Sequence, residues 1–422
     1  MNTKNILKKI SFILPTGVAA FLVYFSMYAF RKPFAVGTFE GIELWGLNYK
    51  VILIIAQVIG YTLSKFIGIK VISELKNKHR PWLIIGFILL AESALLGFAL
   101  VDTPYNFVFL FLNGLPLGMI WGLVFSYLEG RNSTEILATL LSASFIMASG
   151  VTKSIGKHLM LNYGVSEFWM PFYTGALFII PLLIAVWWLE KTPGPTEEDI
   201  LSRSERLPMS NKDKKQLFFS FFSGLAALII MYFFLTAFRD YRDNFMAEIW
   251  IETGFKNNAN IFAKTEIYIA IISLIILALF VLVKNNLRAV KTMFSMMIFG
   301  LLVTALMTYL FFEYQAISAV VWMTIVGLGT YIAYIPLGSM LFDRIIASFK
   351  GKGNAGFLIY IADAFGYLGS ILVLLYKEFF FEGVSILGFF IKFTYITTGI
   401  GVVGLVLAYI YFTRLFEREA IG

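Results

Sequence analysis

The sequence predicts an all-α integral membrane protein whose twelve transmembrane helices form two pseudo-symmetric six-helix halves. Three observations lead to this prediction: the chain is strongly apolar, it contains twelve apolar stretches of spanning length, and a motif in the first stretch of one half recurs in the first stretch of the other. Of its 422 residues, 59% are hydrophobic and 14% are charged, against about 45–50% and about 25% in a soluble domain. This composition excludes a water-soluble enzyme, a nucleic-acid-binding module and a disordered protein.

The net charge of +8 does not indicate a nucleic-acid partner, because most of the basic residues lie at the ends of apolar stretches, where they orient a membrane protein. The chain contains no cysteine and only two histidines, His79 and His158. Thiolate and three-histidine metal sites are therefore excluded, and we expect neither a metal nor a cofactor.

A spanning helix needs about 20 mostly apolar residues. The first predicted span follows Lys4, Lys8 and Lys9 as a signal peptide would, but it lacks a small-residue cleavage site, so we expect it to be retained. The predicted spans are residues 12–34, 51–72, 82–101, 107–128, 136–159, 168–188, 217–238, 263–283, 289–312, 317–342, 355–376 and 386–412.

Lysine and arginine are concentrated before the first span and after every even-numbered span. The connections after odd-numbered spans are far poorer in basic residues: Arg239 ends the seventh span, and the others are Lys32, Lys50, Arg242, Lys256 and Lys377. Positively charged connections stay in the cytoplasm. We therefore expect a multi-pass protein of the inner (cytoplasmic) membrane with both termini in the cytoplasm.

The only long connection of mixed charge contains the turn sequence Pro193, Gly194, Pro195. It predicts a six-helix half at residues 1–190, a cytoplasmic linker at 191–215 and a second six-helix half at 216–422. An internal repeat supports this division, since YFSMYAFR (24–31) aligns without gaps with YFFLTAFR (232–239). A fainter repeat relates ASGVTKS (148–154) to AFGYLGS (364–370). Two parallel six-helix repeats are the architecture of the major facilitator fold.

The repeat places Arg31 and Arg239 at equivalent depths in equivalent helices. A charge inside the bilayer costs about 2.5–3.5 kcal/mol, so each one needs an explanation. Two guanidinium groups converging from opposite halves form a clamp that suits phosphate or carboxylate oxygens. The alternative is that each arginine extends to the membrane surface at an ordinary helix end.

Other charges also fall inside predicted spans. Lys65 lies too deep in the second span to reach the cytoplasmic surface easily, and Lys153 lies beside the polar residues of the fifth span, so both are candidates for anion binding. Glu92, Glu266 and Asp363 are candidates for gating or proton coupling, because burial favours a protonated carboxyl group. Charge compensation is the alternative, for instance Asp363 with Lys65 or Glu266 with Lys153.

Tyrosines in the same spans offer hydroxyl groups that can orient a polar ligand; they are Tyr24, Tyr28, Tyr331, Tyr334 and Tyr367. Helix packing is the alternative role for each of them. Gly114 and Gly118 form a small-residue pair that predicts close helix packing. The sequence lacks a GxxxxGK[ST] phosphate loop, which makes an ATP-driven pump an unlikely function.

Several motifs occur in order along nearly the whole chain: YxxxYxxRK at residues 24–32, SKFI at 64–67, GxxxGMxW at 114–121, KTPGP at 191–195, and GNAGF with FGYLGS at 353–357 and 365–370. In this order they resemble the organophosphate:phosphate antiporter family of the major facilitator superfamily, which includes the glycerol-3-phosphate and hexose-phosphate transporters. The resemblance implies an inner-membrane exchanger for phosphate or a phosphorylated metabolite.

The resemblance also implies roles for individual residues. In the family, paired arginines hold the phosphate, and Arg31 and Arg239 occupy their positions. Lys65 occupies the position of the family's second-helix lysine. The positions of the binding-site tyrosines are occupied by Tyr24, Tyr28, Tyr331 and Tyr367. The family's eighth-helix glutamate corresponds to Glu266.

The sequence departs from the family pattern at three places. The family's fifth-helix histidine is replaced at about Ser149, with Lys153 one turn later, and the arginine-containing loop after the second helix reads SELKNKHR. Arg239 is followed by DYRDNF, which leaves Arg242 as a rival for the second anion-binding arginine. A relative that has changed its anion would show these departures.

The sequence thus predicts a secondary transporter of a small anion, and it favours phosphate or a phosphorylated metabolite as that anion. We expect the protein to work as a monomer by alternating access and not to be an enzyme. Binding of the anion to Arg31 and Arg239 would favour the state that reorients. Two alternatives stay open: proton-coupled symport of an organic acid anion through Glu92 or Asp363, and a non-transporting membrane sensor of a phosphorylated ligand.

Overall fold

The computed structural model describes residues 3–73, 77–129, 131, 133–194, 196, 197, 199, 219–348, 355–381 and 383–421. The described chain is almost entirely helical, because a backbone inside a bilayer must satisfy its own hydrogen bonds. Most of the predicted 191–215 linker and the first two residues of the predicted seventh span lie outside the described residues.

The described residues of the first part of the chain form the following α-helices, of which the fourth and fifth together make up the predicted fourth span. They are α1 (Thr3–Tyr28), α2 (Tyr49–Ser73), α3 (Arg80–Leu100), α4 (Phe107–Leu117), α5 (Ile120–Phe125), α6 (Thr134–Tyr163) and α7 (Met170–Glu190). Short 3-10 helices occupy Pro33–Val36 and Asn77–His79.

The described residues of the second part of the chain form the following further α-helices. They are α8 (Phe222–Asn244), α9 (Met246–Glu252), α10 (Ile261–Val281), α11 (Asn286–Phe312), α12 (Ala319–Ser339), α13 (Leu341–Ser348), α14 (Ala355–Phe380) and α15 (Ile386–Ile421). Side chains cap two of these helices at their first turns, since Asn285 accepts a hydrogen bond from the backbone N–H of Arg288 and Ser318 accepts one from that of Val321.

A small antiparallel hairpin joins α1 to α2. Strand β1 (Glu43–Leu44) pairs with β2 (Leu47–Asn48), so that Leu44 lies opposite Leu47. The turn residues Trp45 and Gly46 both have positive φ, 54° and 73°, as the two central residues of a type I′ turn require.

Ten of the described helical segments are long and apolar enough to cross a membrane, and they confirm ten of the twelve predicted spans. The other two predicted spans coincide with α1 and α14, and as membrane spans they stay predictions. Large apolar side chains such as Ile180, Leu279 and Phe299 are exposed on these helices, which suits contact with lipid rather than water. The chain is a multi-pass membrane protein.

The chain packs into two compact units. Unit 1 comprises Met1–Arg203 and Asp243–Ala270, and unit 2 comprises Ser204–Arg242 and Ile271–Gly422. The division therefore passes through α8 and α10, so that Asp243 and Asn244 at the end of α8 belong to unit 1. The two six-helix halves in the sequence stay a prediction.

Within unit 1, α2 and α4 approach closely because of their glycines. A Cβ at Gly114 would lie 2.4 Å from the backbone oxygen of Gln57, and one at Gly118 would lie 2.5 Å from that of Tyr61. The predicted close packing at Gly114 and Gly118 is confirmed. In unit 2, α11 packs against α12 and α15.

Candidate anion-binding and gating residues

Helix α1 ends at Tyr28, just before Arg31. Turn-like hydrogen bonds join Arg31 N–H to the Tyr28 carbonyl and Ala29 N–H to the Ser26 carbonyl, and Pro33 has no N–H with which to continue the helix. The carbonyl groups of Phe30 and Arg31 consequently need partners from other elements.

Two buried amide side chains supply those partners. The Asn113 side chain on α4 donates to the carbonyl oxygens of Phe30 (2.9 Å) and Ala91 (3.0 Å). The Gln57 side chain on α2 donates to the Arg31 carbonyl (3.0 Å) and to the Asn113 side-chain oxygen (2.9 Å). This network fixes the backbone that carries Arg31. Our sequence analysis missed both amides, which lie in apolar helices with no motif around them.

The guanidinium group of Arg31 lies over a tyrosine ring. Its Cζ atom is 3.8 Å from the centroid of Tyr61 and 5.8 Å from that of Tyr28, and the side chain is buried. The hydroxyl groups of Tyr24 and Tyr61 interact directly. Arg31, Tyr24 and Tyr28 are therefore brought together as predicted, with Tyr61 as an unpredicted member of the group.

Lys65 joins the same group from the next turn of α2. Its Nζ atom lies 5.5 Å from the centroid of the Tyr61 ring, so both Lys65 and Arg31 lie close to this ring. Tyr24 also contacts Trp121 on α5, with ring centroids 5.0 Å apart. The spacing of Tyr61 one turn before Lys65 is the sequence signal that could have identified it.

Unit 2 contains a matching arrangement around Arg239. Its Cζ atom lies 4.1 Å from the ring centroid of Tyr334 on α12. Tyr232, which the repeat makes equivalent to Tyr24, stacks on Tyr334 with centroids 5.1 Å apart, and their hydroxyl groups interact. Each unit therefore contains one arginine over a tyrosine ring and a second tyrosine from the repeat. Tyr334 corresponds in role to Tyr61.

Arg239 also forms an ion pair within unit 2. Its Nη2 atom lies 2.6 Å from Oδ1 of Asp240, whose other carboxylate oxygen accepts a hydrogen bond of 2.7 Å from Ser370. The Arg239 side chain is 15% exposed. Asp240 orients the guanidinium group and offsets part of its charge.

The remaining predicted residues of unit 2 are partly or fully buried. Asp363 accepts a 2.8 Å hydrogen bond from the Tyr232 hydroxyl. Tyr331 and Tyr367 are buried on α12 and α14, and Tyr367 lies close enough to Arg239 to interact with its charge. Arg242, the rival arginine, is almost fully buried and donates from Nη2 to the Met323 carbonyl at 3.1 Å.

Lys153 is part of an ion-pair cluster centred on Asp243 in unit 1. The two oxygens of Asp243 lie 2.6 Å from Lys153 Nζ and 2.5 Å from Lys32 Nζ, and Ser149 donates to the same carboxylate. Lys32 also donates to the Asn244 side chain at 3.1 Å. Lys153 is fully buried, so in this conformation its charge is neutralised by the protein.

The expected pair between Glu266 and Lys153 is not formed, and that expectation was wrong. Lys153 extends instead to Asp243 at the end of α8. Glu266 is fully buried on α10 and packs against Gly150, where an added Cβ would lie 2.5 Å from the Glu266 Cβ. The glycine therefore lets α10 approach α6 closely.

A second buried ion pair in unit 1 joins Lys50 and Glu248. Their Nζ and Oε1 atoms are 2.5 Å apart, and Lys50 also donates to the Ala35 carbonyl at 2.8 Å. Burial raises the pKa of Glu248, and the positive charge of Lys50 partly opposes that rise. Our sequence analysis used Lys50 only as a topology signal and did not identify Glu248.

Within the described ranges, no group of three histidine, aspartate or glutamate side chains is placed to hold a metal ion. The ionisable groups that converge are instead arginines and lysines with aromatic rings and single carboxylates. Such groups bind anions and exchange ion pairs; they do not form a metal centre.

Comparison with known protein families identifies one family whose profile matches most of the chain. The sequence profile of a family described as "Family of unknown function (DUF5690)" matches residues 33–415. The chain belongs to this family. No curated protein matches the sequence.

Solved structures similar to this DUF5690 protein are transporters. A mutant of the nucleoside transporter NupG superposes with a TM-score of 0.61 at 16% identity, covering 95% of this chain and 98% of that one. The D-xylose-proton symporter gives 0.61 at 13% identity, with 94% and 97% covered. A POT family transporter in complex with 5-aminolevulinic acid gives 0.59 at 10% identity, with 96% of each chain covered.

These identities establish the fold alone. The DUF5690 protein has the major facilitator fold, which confirms the predicted fold class. The narrower resemblance to the organophosphate:phosphate antiporters stays a prediction, because the family that matches is DUF5690.

Proposed function

We propose that this DUF5690 protein is a secondary transporter of a small anion, either phosphate or a phosphorylated metabolite, with Arg31 and Arg239 as the anion ligands. The observation that carries the proposal is the duplicated arginine-tyrosine group, with Arg31 over Tyr61 at 3.8 Å and Arg239 over Tyr334 at 4.1 Å. The named transport function of the proteins with similar structures supports the same class of activity.

The chemistry of this group suits an anion. A guanidinium group offers five N–H donors in a plane, which matches two oxygens of a phosphate at once. Stacking on a tyrosine ring holds the plane in place through a cation–π interaction, which uses the face of the guanidinium plane rather than its N–H edge. Neighbouring hydroxyl groups from Tyr24 and Tyr232 can donate to further oxygens.

Arg239 serves the proposal better than Arg242. The Arg242 guanidinium is 2% exposed and donates to a backbone carbonyl, whereas Arg239 keeps some exposure and is stacked as Arg31 is. Asp240 provides a counter-charge to Arg239 in the state without an anion. The incoming anion then replaces Asp240 as the partner of Arg239. Such an exchange of ion pairs gives the ligand differential affinity for one conformation, which alternating access requires.

The distribution of basic residues supports an orientation with both termini in the cytoplasm, and we place the transporter in the cytoplasmic membrane as a monomer.

The test is uptake of labelled phosphate by proteoliposomes preloaded with phosphate. We expect Arg31→Gln and Arg239→Gln each to lower exchange on the order of 100-fold, the loss of a charge-assisted contact of about 3 kcal/mol. Arg31→Lys should remain strongly impaired, because an ammonium group cannot make the paired planar contact. Arg288→Gln, at an exposed position, is the matched control and should exchange normally.

Normal exchange by both glutamine variants would contradict the paired-arginine site. Phosphate binding without any flux in the wild type would instead support the sensor. If carboxylates are exchanged and phosphate is not, an organic acid is the cargo.

A further inference from the structure

Glu92 lies inside unit 1 without any polar partner. The residue is 6% exposed, and neither carboxyl oxygen has a hydrogen-bond partner. A Cβ at Gly175 on α7 would lie 2.2 Å from Oε2 of Glu92 and 3.0 Å from Cδ1 of Phe30. The carboxyl group therefore fills the space left by the missing side chain of Gly175, next to the Phe30 ring.

The elements packed around this carboxyl group bring no charge to it. Helix α4 contains no ionisable side chain. On α3 itself, Arg80 donates to the carbonyl of Ser126. On α7, Tyr173 is exposed and Glu190 accepts a hydrogen bond from Tyr127.

Helix α1 and the turn after it supply the remaining ionisable groups. Tyr24 and Tyr28 stack on each other with centroids 5.5 Å apart, and the guanidinium group of Arg31 lies over Tyr61. None of these groups forms a hydrogen bond or an ion pair with Glu92. Charge compensation, the alternative role considered for Glu92 in the sequence, is therefore absent at this residue.

A carboxylate in such surroundings is far less stable than the neutral acid, so the group keeps its proton. A neutral acid with a purely structural role would donate that proton to a carbonyl oxygen. Neither carboxyl oxygen of Glu92 makes such a hydrogen bond, while the carbonyl groups of Ala91 and Phe30 are bonded to Asn113. The proton is consequently held by burial alone, and entry of water would release it.

We propose that Glu92 is a proton-binding site of the transport cycle, which holds its proton in the described conformation and gives it up to water when the packing of α3 against α7 and the end of α1 loosens. This inference rests on the proposed function, because Phe30 next to the carboxyl group directly precedes the anion ligand Arg31. Movement of Arg31 with its anion moves Phe30 and exposes the acid. Anion transport is then linked to proton transport.

The first arm of the test needs no substrate. Infrared spectra of the purified protein at neutral pH should contain the carbonyl stretching band of a protonated carboxyl group that shifts in deuterated water and is missing in Glu92→Gln. The control Glu190→Gln, at an exposed carboxylate, should keep the band. Gly175→Ala should shift the band, because its methyl group displaces the carboxyl group. A Glu92→Gln spectrum identical to that of the wild type would overturn the proposal.

The second arm uses the wild type and phosphate as the probe. Proteoliposomes that contain a pH-sensitive dye and no phosphate should acidify inside as external phosphate enters. An inward proton gradient should also raise phosphate uptake, and in Glu92→Gln the ratio of uptake with the gradient to uptake without it should fall to one. Phosphate entry into wild-type vesicles without proton movement would overturn the proposal.

The two arms separate this inference from the proposed function. If the wild type moves no anion, the proposed function fails, and the infrared band alone decides whether Glu92 binds a proton. If anion flux is normal and the band is absent, the proposed function stands and the proton site does not.

Discussion

The ionisable side chains inside the apolar helices of this protein have three different kinds of surroundings. Arg31 and Arg239 spread their charge over tyrosine rings, Lys50 and Lys153 are matched by buried carboxylates, and Glu92 has no partner. The stacked arginines are the proposed anion ligands, and Arg239 also forms an ion pair with Asp240. The environment of a charge, rather than its presence in a span, therefore separates candidate ligands from structural pairs.

The Lys50–Glu248 pair tests the cost of a buried charge at this scale. Lys50→Met or Glu248→Leu alone should destabilise the protein by about 3–5 kcal/mol, because each leaves one charge buried without its partner. The double variant should be more stable than either single variant, because no charge is left. Thermal unfolding in detergent measures all three.

Glu190→Gln is the surface control for that cycle, and we expect it to change stability by less than about 0.5 kcal/mol. Strictly additive effects of the two substitutions would contradict a direct interaction between Lys50 and Glu248.

Helix packing positions the Arg31 group through the contact of α2 with α4. Gln57, Tyr61 and Lys65 follow one another at single-turn spacing on α2, and the glycines of α4 let their helix come within backbone contact. The glycine spacing predicted close helix packing here but not that α2 is the partner. It did not predict Gln57 or Tyr61, because a single polar or aromatic residue in an apolar helix has no periodic pattern to show which neighbour it faces.

Substitution of these glycines should loosen the site. Gly114→Ala and Gly118→Ala each place a methyl group against the backbone of α2, and we expect a loss of about 1–3 kcal/mol of stability together with weaker phosphate exchange. Thermal unfolding and proteoliposome exchange measure the two effects.

Gly86→Ala on α3 is the matched control, since an added Cβ there has no atom within 4 Å. Alanine should leave stability unchanged or raise it by up to about 1 kcal/mol through its higher helix propensity. Equal destabilisation at Gly86 and Gly114 would show that the cost is not one of close packing.

For the whole molecule, the sequence was sufficient to predict the fold class and most of the spans. Apolar length is a strong signal because a bilayer admits few alternatives to helices. The ion pairs could not be predicted in the same way: Lys153 and Asp243 are far apart in the sequence, and only the packing of α8 shows that Asp243, rather than Glu266, is the partner. The contact between Gly175 and Glu92 could not be predicted for the same reason, because the two residues are far apart in the sequence.

The absence of cysteine from the sequence makes the predicted orientation directly testable. Asn257→Cys, between α9 and α10, should react with a membrane-impermeant maleimide added to intact cells. Lys284→Cys, between α10 and α11, should react only after the membrane is opened, because the positive-inside rule places it in the cytoplasm.

Both positions are exposed, so access to the reagent depends on the side of the membrane alone. The unmodified protein is the control and should not be labelled. The opposite pattern would reverse the orientation while leaving the fold unchanged.

Helix α15 contains 36 residues, and at a rise of about 1.5 Å per residue it extends for about 54 Å. The hydrocarbon core that it crosses is about 30 Å thick. Several helical turns therefore extend beyond the hydrocarbon core. A globular domain fused to α15 through a continuous helix would keep a fixed orientation relative to the membrane protein. Helix α15 is therefore a suitable place to attach a fiducial for imaging so small a particle by electron cryomicroscopy.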